Sequence, residues 1–259
     1  MKRYGLIGFP LGHSLSPRIH GELFKKEGIE AEYRLYEIPP DELPERISLL
    51  RELDGCNVTI PHKQAVIPFL DELHESAARY RAVNCIRNKG GRLIGYNTDC
   101  DGFLLALESA GLRTDGRVLL LGCGGAGRMM AIEAALHGAQ LTIAVRKGSE
   151  AAPLAVISEL RAMGIDNEIE IADISALDGS DCRWELLINS TPVGMFPKTD
   201  ASPVSEAIVR RCSGVFDAVY NPERTLLLEY AQRCGVPYQG GMPMLVGQAQ
   251  VAHKYWGLA

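Results

Sequence analysis

Six consecutive residues near the middle of the chain have the spacing of a phosphate-binding loop. Gly122, Gly124 and Gly127 occupy the first, third and sixth positions of a G-x-G-x-x-G pattern, between the apolar run 118–121 and a helical pattern. In that context the first glycine permits a tight turn, the second lets the backbone approach a pyrophosphate, and the third lets helix and strand pack closely. The pattern favours a dinucleotide-binding loop over the alternative, a glycine-rich turn without a ligand.

The residues after the next predicted strand indicate which dinucleotide would bind. NAD-binding units usually place an acidic residue about twenty residues after the loop, where it accepts a hydrogen bond from the ribose 2′-hydroxyl. This chain has Arg146 and Lys147 there, and no acidic residue at the position itself. Two cations attract a 2′-phosphate, so the pair predicts NADP, and a solvated basic pair at a strand end is the alternative.

Polar residues also follow predicted strands in the N-terminal half. Ser14 and Ser16 lie between a strand and a helix, where hydroxyl groups and helix-start amides suit a small carboxylate, unless Ser16 simply caps the helix before Pro17. Thr59 belongs to the polar face of another strand, and Lys63 follows its carboxyl end. Ligands bind at that end of parallel strands, although a lone lysine there is equally typical of a solvated surface.

Further polar side chains are open to two interpretations. Asn84 and Asp99 lie near the ends of predicted strands, and Asp99 is equally suited to cap a helix starting near residue 101. Thr191 follows a strand of the second half, and Gln248 lies in the closing helix, where it would face a cleft.

The elements that must position these residues alternate between short apolar strands and helical patterns, which predicts an α/β fold. Helices are expected over 41–50, capped by Asp41, and over 71–80, and paired strands are expected around Gly90 and Gly91. From residue 117 onward the pattern predicts a doubly wound parallel sheet, closed by a helix over 245–256.

Composition excludes several classes of protein. The chain has 259 residues, of which 46% are apolar, and a net charge of −5, which disfavours a nucleic-acid partner. No apolar run approaches the ~18 residues of a membrane span. Seven scattered cysteines without a C-x-x-C pair argue against a zinc site and indicate a reduced, cytoplasmic protein.

Taken together, the segments resemble the shikimate dehydrogenase family, in family order and over nearly the whole chain. The motifs that carry the resemblance are G-x-P-x-x-H-S-x-S-P at 8–17, N-V-T-x-P-x-K at 57–63, A-V-N at 82–84, N-T-D at 97–99, the glycine loop, T-P-x-G-M at 191–195, V-Y-N-P at 219–222 and M-L-V-x-Q at 244–248.

The resemblance implies an α/β substrate domain over 1–100 and 240–259, and a Rossmann-type NADP domain over 101–239, with the C-terminal helix returning to the substrate domain. It implies the reversible reduction of 3-dehydroshikimate to shikimate by an NADP-dependent oxidoreductase of aromatic amino-acid biosynthesis, the chorismate pathway. The expected partner is the small-molecule substrate, the chain would be a monomer or a homodimer, and no metal is expected.

The resemblance also implies a role for individual residues. Lys63 and Asp99 would be the catalytic pair. The substrate would be bound by Ser14, Ser16, Thr59, Asn84, Asp99, Tyr220 and Gln248. NADP would be bound by Gly122, Gly124, Gly125, Ala126, Gly127, Arg146, Lys147, Thr191, Met195 and Gly241.

Two rival functions are weighed against this one. A quinate/shikimate dehydrogenase would accept an additional hydroxyl on the carbon that carries the carboxylate, near Ser14 and Ser16. A non-catalytic, ligand-sensing homologue would typically have lost a catalytic residue, whereas Lys63 and Asp99 are both present.

Overall fold

The computed structural model describes residues 1–12 and 14–258, so His13 of the first motif lies outside the described residues. The chain divides into two compact units. Unit 1 is Met1–Gly102 together with the C-terminal segment from Val246, and unit 2 is Phe103–Leu245. The domain boundaries implied by the resemblance lie after residues 100 and 239.

Unit 1 is built on a six-stranded sheet. Its strands are β1 (Lys2–Gly8), β2 (Ala31–Glu37), β3 (Gly55–Val58), β4 (Glu72–Leu73), β5 (Cys85–Lys89) and β6 (Arg92–Tyr96), in the order β2-β1-β3-β5-β6-β4. β1 pairs in parallel with β2 and β3, whereas β5 is antiparallel to β3 and β6. The sheet is therefore mixed. β5 and β6 form the predicted hairpin, whose turn contains Gly90 and Gly91, both with positive φ.

The helices of unit 1 differ from the prediction in two places. They are α1 (Ser16–Glu27), α2 (Leu43–Arg46), α3 (Leu49–Glu52), α4 (His62–Ala65), α5 (Glu75–Tyr80) and α6 (Asp99–Ser109), which continues into unit 2. The prediction of a single helix over 41–50 is wrong. Asp41 lies in a 3-10 turn, and α2 begins at Leu43, directly before Pro44. Proline is tolerated only in the first turn of a helix, so it cannot lie inside a longer one. The helix predicted over 71–80 begins only at Glu75, because β4 pairs with β6 first.

Unit 2 contains the predicted doubly wound parallel sheet. Its strands are β7 (Arg117–Leu121), β8 (Gln140–Val145), β9 (Ile169–Asp173), β10 (Leu186–Asn189), β11 (Val215–Asp217) and β12 (Tyr238–Gln239), in the order β12-β11-β10-β7-β8-β9 with every pair parallel. Its helices are α7 (Gly125–Leu136), α8 (Ala151–Ala162), α9 (Glu206–Val209) and α10 (Leu226–Arg233). The strand order reverses between β7 and β10, which is where such sheets bind ligands.

The last helix, α11 (Gly241–Trp256), starts in unit 2 and returns to unit 1, as the sequence predicted. Trp256 stacks on Tyr4 with ring centroids 4.4 Å apart, and its Nε1 donates to the Ile86 carbonyl at 2.9 Å. The helix begins four residues before the predicted start at 245, with Pro243 in its first turn. None of the described helices is long and apolar enough to cross a membrane.

Candidate active site

Lys63 and Asp99 form an ion pair in unit 1. Lys63 is the second residue of α4, which follows β3 at its carboxyl end, and Asp99 is the first residue of α6. The Lys63 Nζ lies 2.6 Å from the Asp99 Oδ2, although the two residues are 36 positions apart in the sequence. The two side chains remain 30% and 21% exposed, so a ligand can reach both.

Hydrogen bonds inside the unit fix this pair. The backbone carbonyl of Lys63 accepts a hydrogen bond from the Val83 amide at 2.7 Å. The Asn84 Nδ2 donates to the Asp99 Oδ1 at 2.7 Å and to the Thr98 Oγ1 at 3.0 Å. Both carboxylate oxygens of Asp99 are therefore engaged, which leaves Asp99 little freedom to rotate. Its carboxylate does not cap a helix starting near 101, because α6 begins at Asp99 itself.

Asn57 and Tyr33 support the Lys63–Asp99 pair through Asn84. The sequence assigned no role to either residue. Asn57 is buried, and its Nδ2 donates to the Asn84 carbonyl at 3.1 Å. The Tyr33 hydroxyl donates to the Asn57 Oδ1 at 2.8 Å. Burial raises the pKa of Tyr33 well above its usual value, so the phenol stays a donor. The sequence places Asn57 on a polar strand face, but only the pairing of β2 with β1 shows that Tyr33 reaches it.

Two further predicted substrate residues, Gln248 and Thr59, lie in unit 1 with this pair. The Thr98 Oγ1 donates to the Gln248 Oε1 at 3.4 Å, which joins Gln248 to the hydrogen-bonded cluster around Asn84. Thr59 directly follows β3, although the sequence placed it within the strand. Its carbonyl accepts a hydrogen bond from the His62 amide at 2.9 Å, directly before Lys63.

Ser14 and Ser16 do not serve as helix caps in the predicted way. Leu15 occupies the N-cap position of α1, so the alternative in which Ser16 is the cap is wrong. Instead the Ser14 Oγ accepts a hydrogen bond from the Ser16 amide at 3.3 Å. Both residues are half-buried, and Ser16 is left in the first turn of a twelve-residue helix, where backbone amides favour an anion.

Unit 2 carries the glycine loop between β7 and α7. A Cβ at Gly122 would lie 2.8 Å from the Thr191 Cγ2, and one at Gly127 would lie 2.4 Å from the Ser190 Oγ. The opposite side of the loop is open, since a Cβ at Gly124 or Gly125 would meet no atom within 4 Å. The loop therefore has room for a phosphate beside the first amides of α7, and its geometry fits a dinucleotide.

The remaining predicted cofactor residues also lie in unit 2, where Arg146 and Lys147 follow β8. Ala126, Arg146, Lys147 and Met195 are exposed, and Thr191 packs against the loop through Gly122. Gly241 is buried, and a Cβ there would lie 2.2 Å from the Ala218 carbonyl oxygen. Helix packing alone therefore requires glycine at 241. Tyr220, predicted to bind substrate, is an exposed residue of unit 2.

Two acidic residues, Asp173 and Glu150, stand near the basic pair, although the sequence assigned neither of them a role there. Asp173 ends β9 in register with Val145, the last residue of β8, and Glu150 accepts a hydrogen bond from the Gly148 amide at 2.8 Å. The position of Asp173 follows from the strand register, which the sequence did not supply.

Comparison with known proteins shows one family. The model of the shikimate dehydrogenase substrate binding domain matches residues 6–86. A curated relative from Symbiobacterium thermophilum, named shikimate dehydrogenase (NADP(+)), is 40% identical over 97% of this chain and 87% of its own length. One from Syntrophomonas wolfei with the same name is 41% identical over 94% and 85%.

Solved structures agree with these relatives. The shikimate 5-dehydrogenase of Thermus thermophilus, in complex with NADP(H) and shikimate, has a TM-score of 0.84 at 32% identity, covering 99% of this chain and 93% of that one. The Listeria monocytogenes enzyme, in complex with shikimate and NAD, has a TM-score of 0.88 at 31% identity, covering 99% and 92%. The resemblance predicted from the motifs is confirmed, and this chain belongs to the shikimate dehydrogenase family.

Proposed function

We propose that this chain is an NADP-dependent shikimate dehydrogenase, which reversibly reduces 3-dehydroshikimate to shikimate. The observation that carries the proposal is the partly exposed Lys63–Asp99 pair, held at 2.6 Å in the unit that contains the family's substrate-binding region. The names of the full-length relatives support the same reaction.

The substrate is a carboxylated ring with several hydroxyl groups, and the polar residues of unit 1 match that chemistry. Ser14 and Ser16 bind the carboxylate at the start of α1, together with Tyr220. Thr59, Asn84, Asp99 and Gln248 hydrogen-bond the ring hydroxyls. A site that pairs with each hydroxyl rejects analogues that lack one, because its own buried polar groups would then be left without partners.

The reduction of a ketone requires a hydride and a proton, and the ion pair handles the proton. The Lys63 ammonium donates a hydrogen bond to the carbonyl oxygen and stabilises the negative charge that grows there. Asp99 holds the ammonium in place, and the pair supplies the proton that the new hydroxyl takes up. In the reverse direction the same pair accepts the proton of the shikimate hydroxyl.

The residues of unit 2 hold and orient the cofactor. When bound, NADP supplies or accepts the hydride. Gly122, Gly124, Gly125, Ala126 and Gly127 offer open space and backbone amides to the pyrophosphate. Arg146 and Lys147 would hold the 2′-phosphate, and Thr191, Met195 and Gly241 would hold the other end of the dinucleotide.

The same proposal places the chain in the cytoplasm, in aromatic amino-acid biosynthesis. It acts on a small molecule as a monomer or a homodimer, without a nucleic-acid or membrane partner. The seven cysteines, none of which forms a disulfide in the described structure, support a reducing compartment.

Purified protein tested with shikimate or quinate, each with NADP+ or NAD+, distinguishes the candidate functions. We expect the highest kcat/KM for shikimate with NADP+. Comparable rates with quinate would instead identify a quinate/shikimate dehydrogenase. Saturable binding of shikimate without any reduction of either dinucleotide would identify a ligand-sensing homologue and contradict the proposal.

A further inference from the structure

The turn after β8, which carries Arg146 and Lys147, is hydrogen-bonded to the side chain of Glu150. The Ser149 amide donates to the Arg146 carbonyl at 2.9 Å, and Gly148 has a positive φ, so the chain turns sharply after β8. The Gly148 amide then donates to the Glu150 Oε1 at 2.8 Å. This bond holds the Glu150 carboxylate against the turn that also carries Lys147.

The neighbouring strand brings a second carboxylate to the same place. Asp173 pairs in register with Val145, so β8 and β9 end side by side, and Arg146 directly follows that pair. The Asp173 Oδ1 accepts hydrogen bonds from the Ser175 amide and the Ser175 hydroxyl, both at 2.9 Å. The carboxylate is therefore fixed at the strand end.

Both acids are ionised near neutral pH, and Lys147 is close enough to act on each. Hydrogen bonds from the amides of Gly148 and Ser175 lower the pKa of Glu150 and of Asp173, respectively, from their usual values. The charge of Lys147 is a smaller contribution in the same direction for both groups, and for Glu150 the charge of Asp173 opposes it. The turn after β8 and the adjacent end of β9 thus carry two cations, Arg146 and Lys147, and two anions, Glu150 and Asp173. A 2′-phosphate meets a region whose charges largely cancel, rather than a cationic patch.

We infer that Glu150 and Asp173 reduce this chain's preference for NADP over NAD, by opposing the charge of Lys147 and leaving Arg146 as the main phosphate partner. The inference rests on the proposed function, since it deepens the cofactor assignment of the same site. A carboxylate repels a phosphate but accepts a hydrogen bond from a ribose hydroxyl, so the two acids act on NADP and NAD in opposite directions.

Two isosteric variants test the inference without disturbing the turn. Glu150→Gln keeps an oxygen that accepts from Gly148, and Asp173→Asn keeps one that accepts from Ser175, so both should fold. Glu168→Gln removes an equal charge just before the opposite end of β9 and is the matched control. For each protein, dissociation constants of NADP+ and NAD+ are measured by titration calorimetry, beside kcat/KM with shikimate.

We expect each of the two variants to raise the ratio of NADP+ to NAD+ affinity about two- to fivefold at low salt, and less at high salt, because the charges act through solvent. Glu168→Gln should leave the ratio unchanged. An unchanged or lowered ratio in both Glu150→Gln and Asp173→Asn would overturn the inference, as would a wild-type chain that binds neither dinucleotide. Calorimetry reads this ratio without turnover, so a chain that binds both dinucleotides but oxidises no shikimate refutes only the proposed function.

Discussion

Asp99 is the residue on which the candidate site depends most, because its two carboxylate oxygens have different partners. Lys63 donates to one oxygen and the buried Asn84 amide donates to the other. Rotation of the carboxylate would break both bonds at once. Asn84 therefore positions Asp99, and Asp99 in turn positions the ammonium of Lys63.

Asp99→Asn keeps the shape of the side chain and removes its charge. We expect turnover to fall about 10²–10⁴-fold, the range for one positioned acid or base, with a smaller rise in the KM for shikimate as one hydroxyl contact weakens. The double variant with Lys63→Ala should lose much less than the product of the two single losses, since the pair acts as a unit. Steady-state kinetics of the three variants check this, and losses that simply multiply would show two independent roles.

Arg146→Ala should affect the two dinucleotides unequally, because only NADP carries the 2′-phosphate. A charge-assisted hydrogen bond contributes ~1.5–3 kcal/mol, so the KM for NADP+ should rise about ten- to a hundredfold and the KM for NAD+ should change little. Initial rates with each dinucleotide at saturating shikimate measure both constants. Equal losses with NADP+ and NAD+ would remove Arg146 from the phosphate site.

Sequence patterns found the polar residues that follow strand ends, because strand ends are visible in the order of apolar and polar residues. They did not find Tyr33 or Asp173 as partners of the site. Each of them lies on a different strand from the residues it supports. Parallel neighbours such as β8 and β9 are joined by a long connection, so the sequence does not show in which register the two strands pair.

At the scale of elements, α1 and α11 are joined in unit 1 by three hydrogen-bonded polar side chains, of which His20 and His253 are buried. The His253 Nδ1 of α11 donates to the Glu27 Oε2 of α1 at 2.6 Å, and the His253 Nε2 lies 2.9 Å from the His20 Nδ1. His20 also stacks on Tyr33 with ring centroids 4.3 Å apart. The helix α11, which carries Gln248, is thus attached to α1 next to Tyr33, the residue that supports the Lys63–Asp99 pair through Asn57.

This attachment predicts a pH-dependent stability. Burial, followed by the charge of His253, lowers the pKa of His20 from 6.5 to about 3. Between these values the unfolded chain binds a proton that the folded chain does not, so the free energy of unfolding falls as the pH falls below 6.5. The slope from this group is about 1.4 kcal/mol per pH unit, or about 2 kcal/mol between pH 6.5 and 5.

Urea unfolding at several pH values measures that slope. His20→Phe keeps an aromatic ring against Tyr33 and removes the titrating group, so its stability should depend less steeply on pH than that of the wild type. The control His137→Gln changes a partly exposed histidine of unit 2 and should keep the wild-type slope. Equal slopes in wild type and His20→Phe would show that His20 does not remain neutral in the folded chain.

The elements themselves were predictable where one local signal decided them. The apolar run of β7 and the glycines that follow it predict the parallel sheet of unit 2, because a strand buried on both faces has no polar residues. The bounds of the short helix α5 were not predictable from the local pattern. Pairing of β4 with a sheet edge outweighs the local helical pattern there, and pairing is a tertiary effect.

At the scale of the whole molecule, the seven cysteines are distributed over both units without any disulfide in the described structure. Five are buried, and Cys182 and Cys234 are half-buried. Burial raises the pKa of Cys56 and of Cys212 to about 12 and that of Cys123 to about 11. The thiols of Cys56, Cys123 and Cys212 therefore stay protonated at neutral pH, whereas the thiolate is the reactive form.

Titration with a thiol reagent at neutral pH should modify Cys182 and Cys234 in the native protein and all seven cysteines in denaturant. Mass spectrometry of the labelled protein identifies the positions. A reductant should leave the midpoint of urea unfolding unchanged. Fewer than seven modified thiols in denaturant without reductant would reveal a disulfide and contradict the reduced state.

The central claim is that Lys63, held by Asp99, acts on the developing alkoxide, and the turnover of Lys63→Met tests it most directly. The variant keeps the length of the side chain and the backbone bond to Val83, and Lys89→Met, an exposed lysine on β5, is the matched control. In shikimate oxidation with NADP+, we expect Lys63→Met to lose about 10²–10⁴-fold in kcat with little change in the KM for shikimate, and Lys89→Met to retain wild-type rates. A Lys63→Met enzyme that keeps more than about a tenth of wild-type kcat would contradict this claim. Its loss of kcat would be smaller than the range for a positioned acid or base, and Lys63 would then only bind substrate.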